Sequence, residues 1–176
     1  MDTKHIRILA IDPGTRLMGV AFFDGGKLIY HAVEVIAKEP SPQRTLQRAR
    51  DAVVRLMDDF EPNLVAVERT FFKQNRNTAL LNVLFDEIRS VSRRRDVAFV
   101  SFAPSTVKKF TAGDGWASKK QVAMAVVSKF PELKVFLGQD RGWKERFHMN
   151  MFDAVALGIV VMTGLLTGSP PVAVRR

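Results

Sequence analysis

The chain has no cysteine among its 176 residues. That excludes thiol catalysis, disulfide bridges and cysteine-based zinc sites, and it fits a cytoplasmic setting. Acids are also scarce: 18 Asp and Glu stand against 27 Lys and Arg, a net charge of +9. Such a deficit favours a phosphate-rich partner, because basic groups that neutralise phosphates release condensed counterions. The plainer reading is a solvated basic surface. The longest apolar stretch, Ala154–Leu166, is too short to span a bilayer and has Asp153 at its edge. It predicts a buried core helix and no membrane partner. The opening MDTKHIR is polar and leads into a strand, so no signal peptide is expected. No internal repeat, low-complexity segment or linker interrupts the chain. With 47% hydrophobic residues, one compact domain over residues 1–168 is expected, followed by a mobile tail, 169–176.

Apolar patterning predicts the elements. Ile6–Asp12 reads as a buried strand bounded by Pro13-Gly14, and Gly19–Phe23 as a second strand. Asp24-Gly25-Gly26 is a hairpin signal, with Lys27–Val35 returning as a third strand. The two prolines in Lys38–Gln43 predict a loop. Leu46–Phe60 has helical spacing and is ended by Pro62. Leu64–Val67 is a short buried strand leading to Glu68. Asn77–Arg93 is helical, Val97–Phe102 a strand, and Ser105–Phe110 a helix with Pro104 in its first turn. Ser118–Phe130 is a helix with Ser118 as N-cap. Leu133–Arg146 reads as irregular, and His148–Leu166 as the last helix. This order gives one α/β domain: an antiparallel hairpin set joined to parallel strands by right-handed crossovers.

Three acids stand at the edges of apolar elements. Asp12 ends the first strand, Glu68 ends NLVAVE, and Asp153 opens FDAVALGIVVM. Taken singly, Asp12 reads as a cap of the DPG turn and Asp153 as a helix cap. Taken together, three carboxylates against apolar elements in a basic chain point to a metal-dependent enzyme acting on a polyanion. An unpaired charge against an apolar element is costly, which argues against all three being merely structural. Phosphodiester hydrolysis needs phosphate charge neutralised and a water made nucleophilic, and carboxylate-held Mg²⁺ supplies both.

Four segments, IDPGTRLMGVAFFD, VAVERTFF, APSTVKKFTAGDGWASKKQV and FDAVALGI, occur in an order that resembles the RuvC family of Holliday-junction resolvases. The resemblance implies an RNase H-like fold with a five-stranded mixed sheet flanked by helices. It implies a homodimer that nicks four-way DNA junctions symmetrically in recombination and repair, with Mg²⁺ as cofactor and Mn²⁺ accepted. A relaxed nuclease of flaps and forks, or a non-catalytic junction-binding protein, are the alternatives. It further implies that Asp12 bridges the metals, Glu68 binds one and Asp153 the other. The family carries Asp or His three residues before that last acid, and here the position is Asn150. Residues three apart lie about 60° apart on a helix, so Asn150 and Asp153 share a face. An amide carries no charge and is a poor general base, so Mn²⁺ is expected to serve better than Mg²⁺. His148 is the rival for this place, provided that the helix begins after it.

The resemblance also marks DNA contacts. Phe71 matches a family aromatic at the junction-facing loop, with Phe72 beside it and Arg69 and Lys73 adding charge. One of the two rings is expected in the core. Lys108, Lys109, Lys119 and Lys120 match phosphate-binding lysines, and the first turn of the helix carrying Lys119 itself favours phosphate. Trp116 is read either as stacking on nucleic acid or as covering the core. The apolar positions of Asn77–Arg93 are broader than one packing stripe needs: either a second face of that helix meets the partner subunit of the implied homodimer, or both faces pack inside one chain.

Overall fold

The computed structural model describes residues 6–69, 76–138 and 142–167, without the side chains of 76–78, 143–146 and 166–167. Five strands form one mixed sheet, β1 (Arg7–Asp12), β2 (Leu17–Asp24), β3 (Lys27–Val35), β4 (Leu64–Glu68) and β5 (Ala98–Phe102), in the order β3-β2-β1-β4-β5. The β1-β2 and β2-β3 pairs are antiparallel, and β1-β4 and β4-β5 are parallel. This is the expected mixed sheet.

Helices α1 (Pro42–Phe60) and α2 (Arg76–Arg94) cover one face. Helices α3 (Pro104–Ala112), α4 (Lys119–Lys129) and α5 (Gly142–Thr167) cover the other, with a short 3₁₀ helix at Pro131–Phe136. Strand alternation assigns the faces. Leu9, Ile11, Val65 and Val67 point to the α1/α2 side, while Ile8, Ala10, Leu64 and Ala66 point to the α5 side. The same parity, carried to the strand ends, aims Asp12 and Glu68 toward α5. The β1-β4 register pairs Ile11 with Val67, so one step further Asp12 stands beside Glu68.

Several boundaries differ from the sequence reading. Helix α1 begins at Pro42, inside the expected loop. Ser41 is its N-cap, accepting from the Arg44 amide at 3.3 Å, and Pro42 occupies a first-turn position where no N–H is needed. The proline was thus a start signal rather than a loop signal. The 3₁₀ helix and the first turns of α5 replace the stretch expected to be irregular.

Helix α5 has 26 residues and is the central helix of its face. Phe147–Leu165 is long and apolar enough to cross a membrane, with mean hydropathy 1.4, but 67% of it is buried within the fold. Its Phe152 and Leu157 are fully enclosed. Truncating such a buried Phe to Ala typically costs about 3–5 kcal/mol. Gly19 of β2 permits the closest approach, since a Cβ there would collide with the Asn150 carbonyl. The backbone of α5 therefore sits directly on β2, and Gly19 is itself the partner of Asp12 in the β1-β2 ladder. Phe71, Phe72 and Lys73 lie outside the described residues, as does the expected tail.

Candidate active site

Asp12, Glu68 and Asp153 line one open cleft of about 510 Å³, together with Lys108, Lys119 and Asn150. Each reaches it for a local reason. Asp12 and Glu68 are the last residues of adjacent strands, where the sheet hands over to loops. Asp153 lies on the α5 face that meets the strand ends. Lys119 is the first residue of α4, whose start is fixed by a capping box: Ser118 Oγ accepts from the Gln121 amide at 3.3 Å, and Gln121 Oε1 accepts from the Ser118 amide at 2.8 Å.

The three acids act on one another. Burial first, then the charges of Glu68 and Asp153, raise the Asp12 carboxyl well above its usual range, while Lys119 opposes them. Burial and then Asp153 push the Glu68 carboxyl up to about 7, with Lys119 and Lys108 pulling the other way. Lys119 Nζ donates to Asp153 Oδ2 at 2.6 Å. Burial works against the Lys119 ammonium, but Asp153, Asp12 and Glu68 together outweigh it and raise its pKa. The cleft is therefore short of positive charge even with an ammonium in it.

Among the described residues, no three His, Asp or Glu side chains converge tightly enough to enclose an ion. The donor set nevertheless fits a hard divalent cation: three carboxylates from three elements plus an amide, in partial burial, with unneutralised negative charge.

Asn150 lies in the cleft, and its Nδ2 donates to the Leu17 carbonyl at 3.0 Å, tying α5 to the start of β2. That bond assigns the amide nitrogen to Leu17 and leaves Oδ1 as the ligand-capable atom. His148 is placed elsewhere, which corrects its candidacy as the rival ligand. Since α5 begins at Gly142, His148 is helical, roughly 140° from Asp153 around the axis. Its ring lies 4.7 Å from that of Phe136 and 5.1 Å from that of Phe147. Burial, then His31, lowers its pKa.

Of the expected DNA contacts, Lys108 and Lys119 line the cleft, and Lys109 and Lys120 are exposed on the same helices. Arg69 follows Glu68, and its guanidinium lies 5.0 Å from the Phe85 ring centroid. Trp116 is 94% exposed and does not cover the core. Sequence reasoning missed Thr15 and Arg16, which line the cleft from the turn after Asp12. Their place directly behind the DPG turn was the available signal. It also missed the Leu17 carbonyl as the partner of Asn150, a contact across 133 positions that no local pattern reveals.

A family model described as crossover junction endodeoxyribonuclease RuvC matches residues 8–136. The matched interval contains Asp12, Glu68, Lys108 and Lys119 and ends before Asn150 and Asp153. The protein of that name from Mycolicibacterium smegmatis is 31% identical over 127 residues, covering 69% of each chain. The fold is similar to that of Thermus thermophilus RuvC in complex with Holliday junction substrate, with TM-score 0.72 and 21% identity over 94% of this chain and 98% of that one. It is also similar to the yeast mitochondrial Holliday junction resolvase, with TM-score 0.63 and 13% identity over 96% and 86% of the two chains. With the family model matching most of its length and a relative 31% identical over 69% of it, the chain belongs to the RuvC family of crossover junction endodeoxyribonucleases.

Proposed function

We propose that this protein is an endonuclease that nicks four-way DNA junctions symmetrically as a homodimer, in recombination and repair, using Mg²⁺ or Mn²⁺. The observation that carries the reading is the meeting of Asp12, Glu68 and Asp153 with Lys108 and Lys119 in one cleft. The nuclease domain is residues 1–168, and a cytoplasmic location accords with its substrate.

Asp12, Glu68 and Asp153 would hold the divalent cation, with Asn150 Oδ1 next to them. Once bound, it would neutralise charge on the scissile phosphate and make a water nucleophilic. The remaining work belongs to the chain. Lys108 and Lys119 draw phosphate toward the acids, and the free N–H groups at the start of α4 reinforce them. Lys109 and Lys120 extend the basic rim, and Arg69, Phe71, Phe72 and Lys73, which follow Glu68 in the sequence, are proposed as further DNA contacts. Asn150 holds the β2 start against α5, which fixes Asp12 relative to Asp153. For the dimer, α2 is the proposed contact: Leu84, Phe85 and Ile88 are buried within the chain, while Val83 remains exposed.

The test is incubation with a synthetic mobile four-way junction, with flap and fork substrates alongside, in Mg²⁺, Mn²⁺ or EDTA. Paired nicks across the junction, lost in EDTA, support the reading. Equal cutting of all branched substrates replaces it with a relaxed nuclease. Binding without cutting in either metal replaces it with a junction-binding protein.

A further inference from the structure

Trp116 sits in a loop whose backbone is tied at nearly every residue. The Gly113 amide donates to the Lys109 carbonyl at 3.0 Å with φ 80°, closing α3. Asp114 Oδ1 accepts from the Trp116 amide at 2.9 Å, and the Asp114 carbonyl accepts from the Ala117 amide at 3.1 Å. Gly115 lies close against α3: a Cβ there would stand 3.2 Å from the Ser105 carbonyl. Ala117 is buried, and Ser118 caps α4. A fixed loop thus holds a large aromatic side chain out in solvent, although Trp is usually well buried. Such a ring gains nothing for the fold.

Its surroundings select the class of partner. Lys108 and Lys109 precede the loop on α3, and Lys119 and Lys120 follow it on α4. Lys108 and Lys119 also line the acidic cleft. An apolar peptide would offer no anion to these lysines, of which Lys119 alone is paired among the described residues, with Asp153. A nucleic-acid strand matches both features, its phosphates on the lysines and a base on the indole face. Stacking tolerates any base, because every base presents a π-face, but it needs one free of its helix. A branch point supplies that.

We infer that Trp116 is a stacking platform for an unpaired nucleobase on the strand whose phosphates the four lysines hold. This rests on the nuclease reading for its substrate class, and the experiment separates the two. The protein carries Asp12→Asn, to prevent cutting, and Trp143→Phe, so that emission reports Trp116 alone. It is titrated with a four-way junction, a plain duplex and a single-stranded oligothymidylate, with binding followed independently by gel mobility. Both the junction and the single strand should quench Trp116 emission. Trp116→Ala should weaken both by about 5- to 150-fold, the range of measured base–aromatic stacking. Trp116→Phe should recover most of that loss. The slope of log affinity against log salt should not change, because no charge is removed.

A bound junction with unchanged emission, or affinity within about twofold after Trp116→Ala, overturns the inference. So does a change in the mass of the assembly in solution on Trp116→Ala, which would assign the ring to a contact between copies. Quenching by the single strand without preference for junction over duplex keeps the stacking platform and defeats the resolvase reading. No binding to any of the three defeats both.

Discussion

Lys119 and Asp153 are joined across 2.6 Å, so an ammonium is held at the carboxylate that would also bind a divalent cation. The Asp153 side chain is 14% exposed and that of Lys119 is 56% exposed, which keeps the pair at the modest end of ion-pair energies. On the proposed reading, the lysine would compete with metal for Asp153 while attracting phosphate.

Lys119→Ala should have opposite effects on the two ligands. Apparent Mn²⁺ affinity, measured by paramagnetic resonance without DNA, should tighten by about two- to fivefold, the value of a partly exposed ion pair. Junction affinity should fall, and its salt slope should flatten by about one. An unchanged slope would assign Lys119 to the metal site alone.

Glu68 gives the protein a pH dependence of defined sign. Its carboxyl is pushed from 4.5 up to about 7 by burial, then by Asp153. Between those values the folded chain holds a proton that the unfolded chain has released. Stability therefore falls as pH rises through that window and stays lowered above it. The change is on the order of 3 kcal/mol. The metal-free Tm should be lower at pH 8 than at pH 5. Mg²⁺ or Mn²⁺ should raise it at pH 8, on the order of 5–10 °C, and do little at pH 5. A Tm at pH 8 indifferent to both metals would contradict carboxylate-held metal.

Asp12→Asn removes one of three mutually repelling acids without changing shape. Nicking should be abolished, since the cleft loses the acid that β1 delivers. Junction binding should persist, because no phosphate contact is removed. The metal-free Tm at pH 8 should rise, because burial and the other two acids oppose the Asp12 charge. Near-native nicking by this variant would end the metal reading.

Much of this cleft was legible before folding. Asp12 and Glu68 could be recognised because a strand that ends on an acid shows itself in seven letters. Ser118 could be recognised because its capping partner is three residues away. The start of α1 was not, since Pro42 has one meaning in a loop and another at a first helical turn. The 142–147 turns of α5 were not, because Arg141, Lys144, Glu145 and Arg146 hide a helix whose apolar stripe begins later. The roles of Asn150 and His148 depended on that boundary and on a carbonyl 133 positions away, both set by tertiary packing.

Asn150 and His148 can now be separated by mutation. Asn150→Asp sets a carboxylate against the Leu17 carbonyl and gives up the 3.0 Å bond, at a cost of about 1–3 kcal/mol in metal-free stability, read as a lowered Tm. Bound Mn²⁺ or Mg²⁺ should restore part of it by drawing the new carboxylate into the cleft. Because the wild-type amide is uncharged, nicking should be faster in Mn²⁺ than in Mg²⁺. His148→Ala should lower stability through lost packing on Phe136 and leave nicking per folded molecule intact. A His148→Ala defect as deep as that of Asp153→Asn would reverse the assignment.

Gly19 carries no functional atom, yet it faces Asp12 across the ladder on one side and meets the α5 backbone on the other. It works as a shim of zero thickness between the parts that carry the first and last acids. A methyl group there must lift one part from the other, so the separation of Asp12 and Asp153 is set by main chain rather than by side-chain choice. In a screen for lost nicking, Gly19→Ala should therefore appear among the acids, a defect of alignment with every reacting group still present.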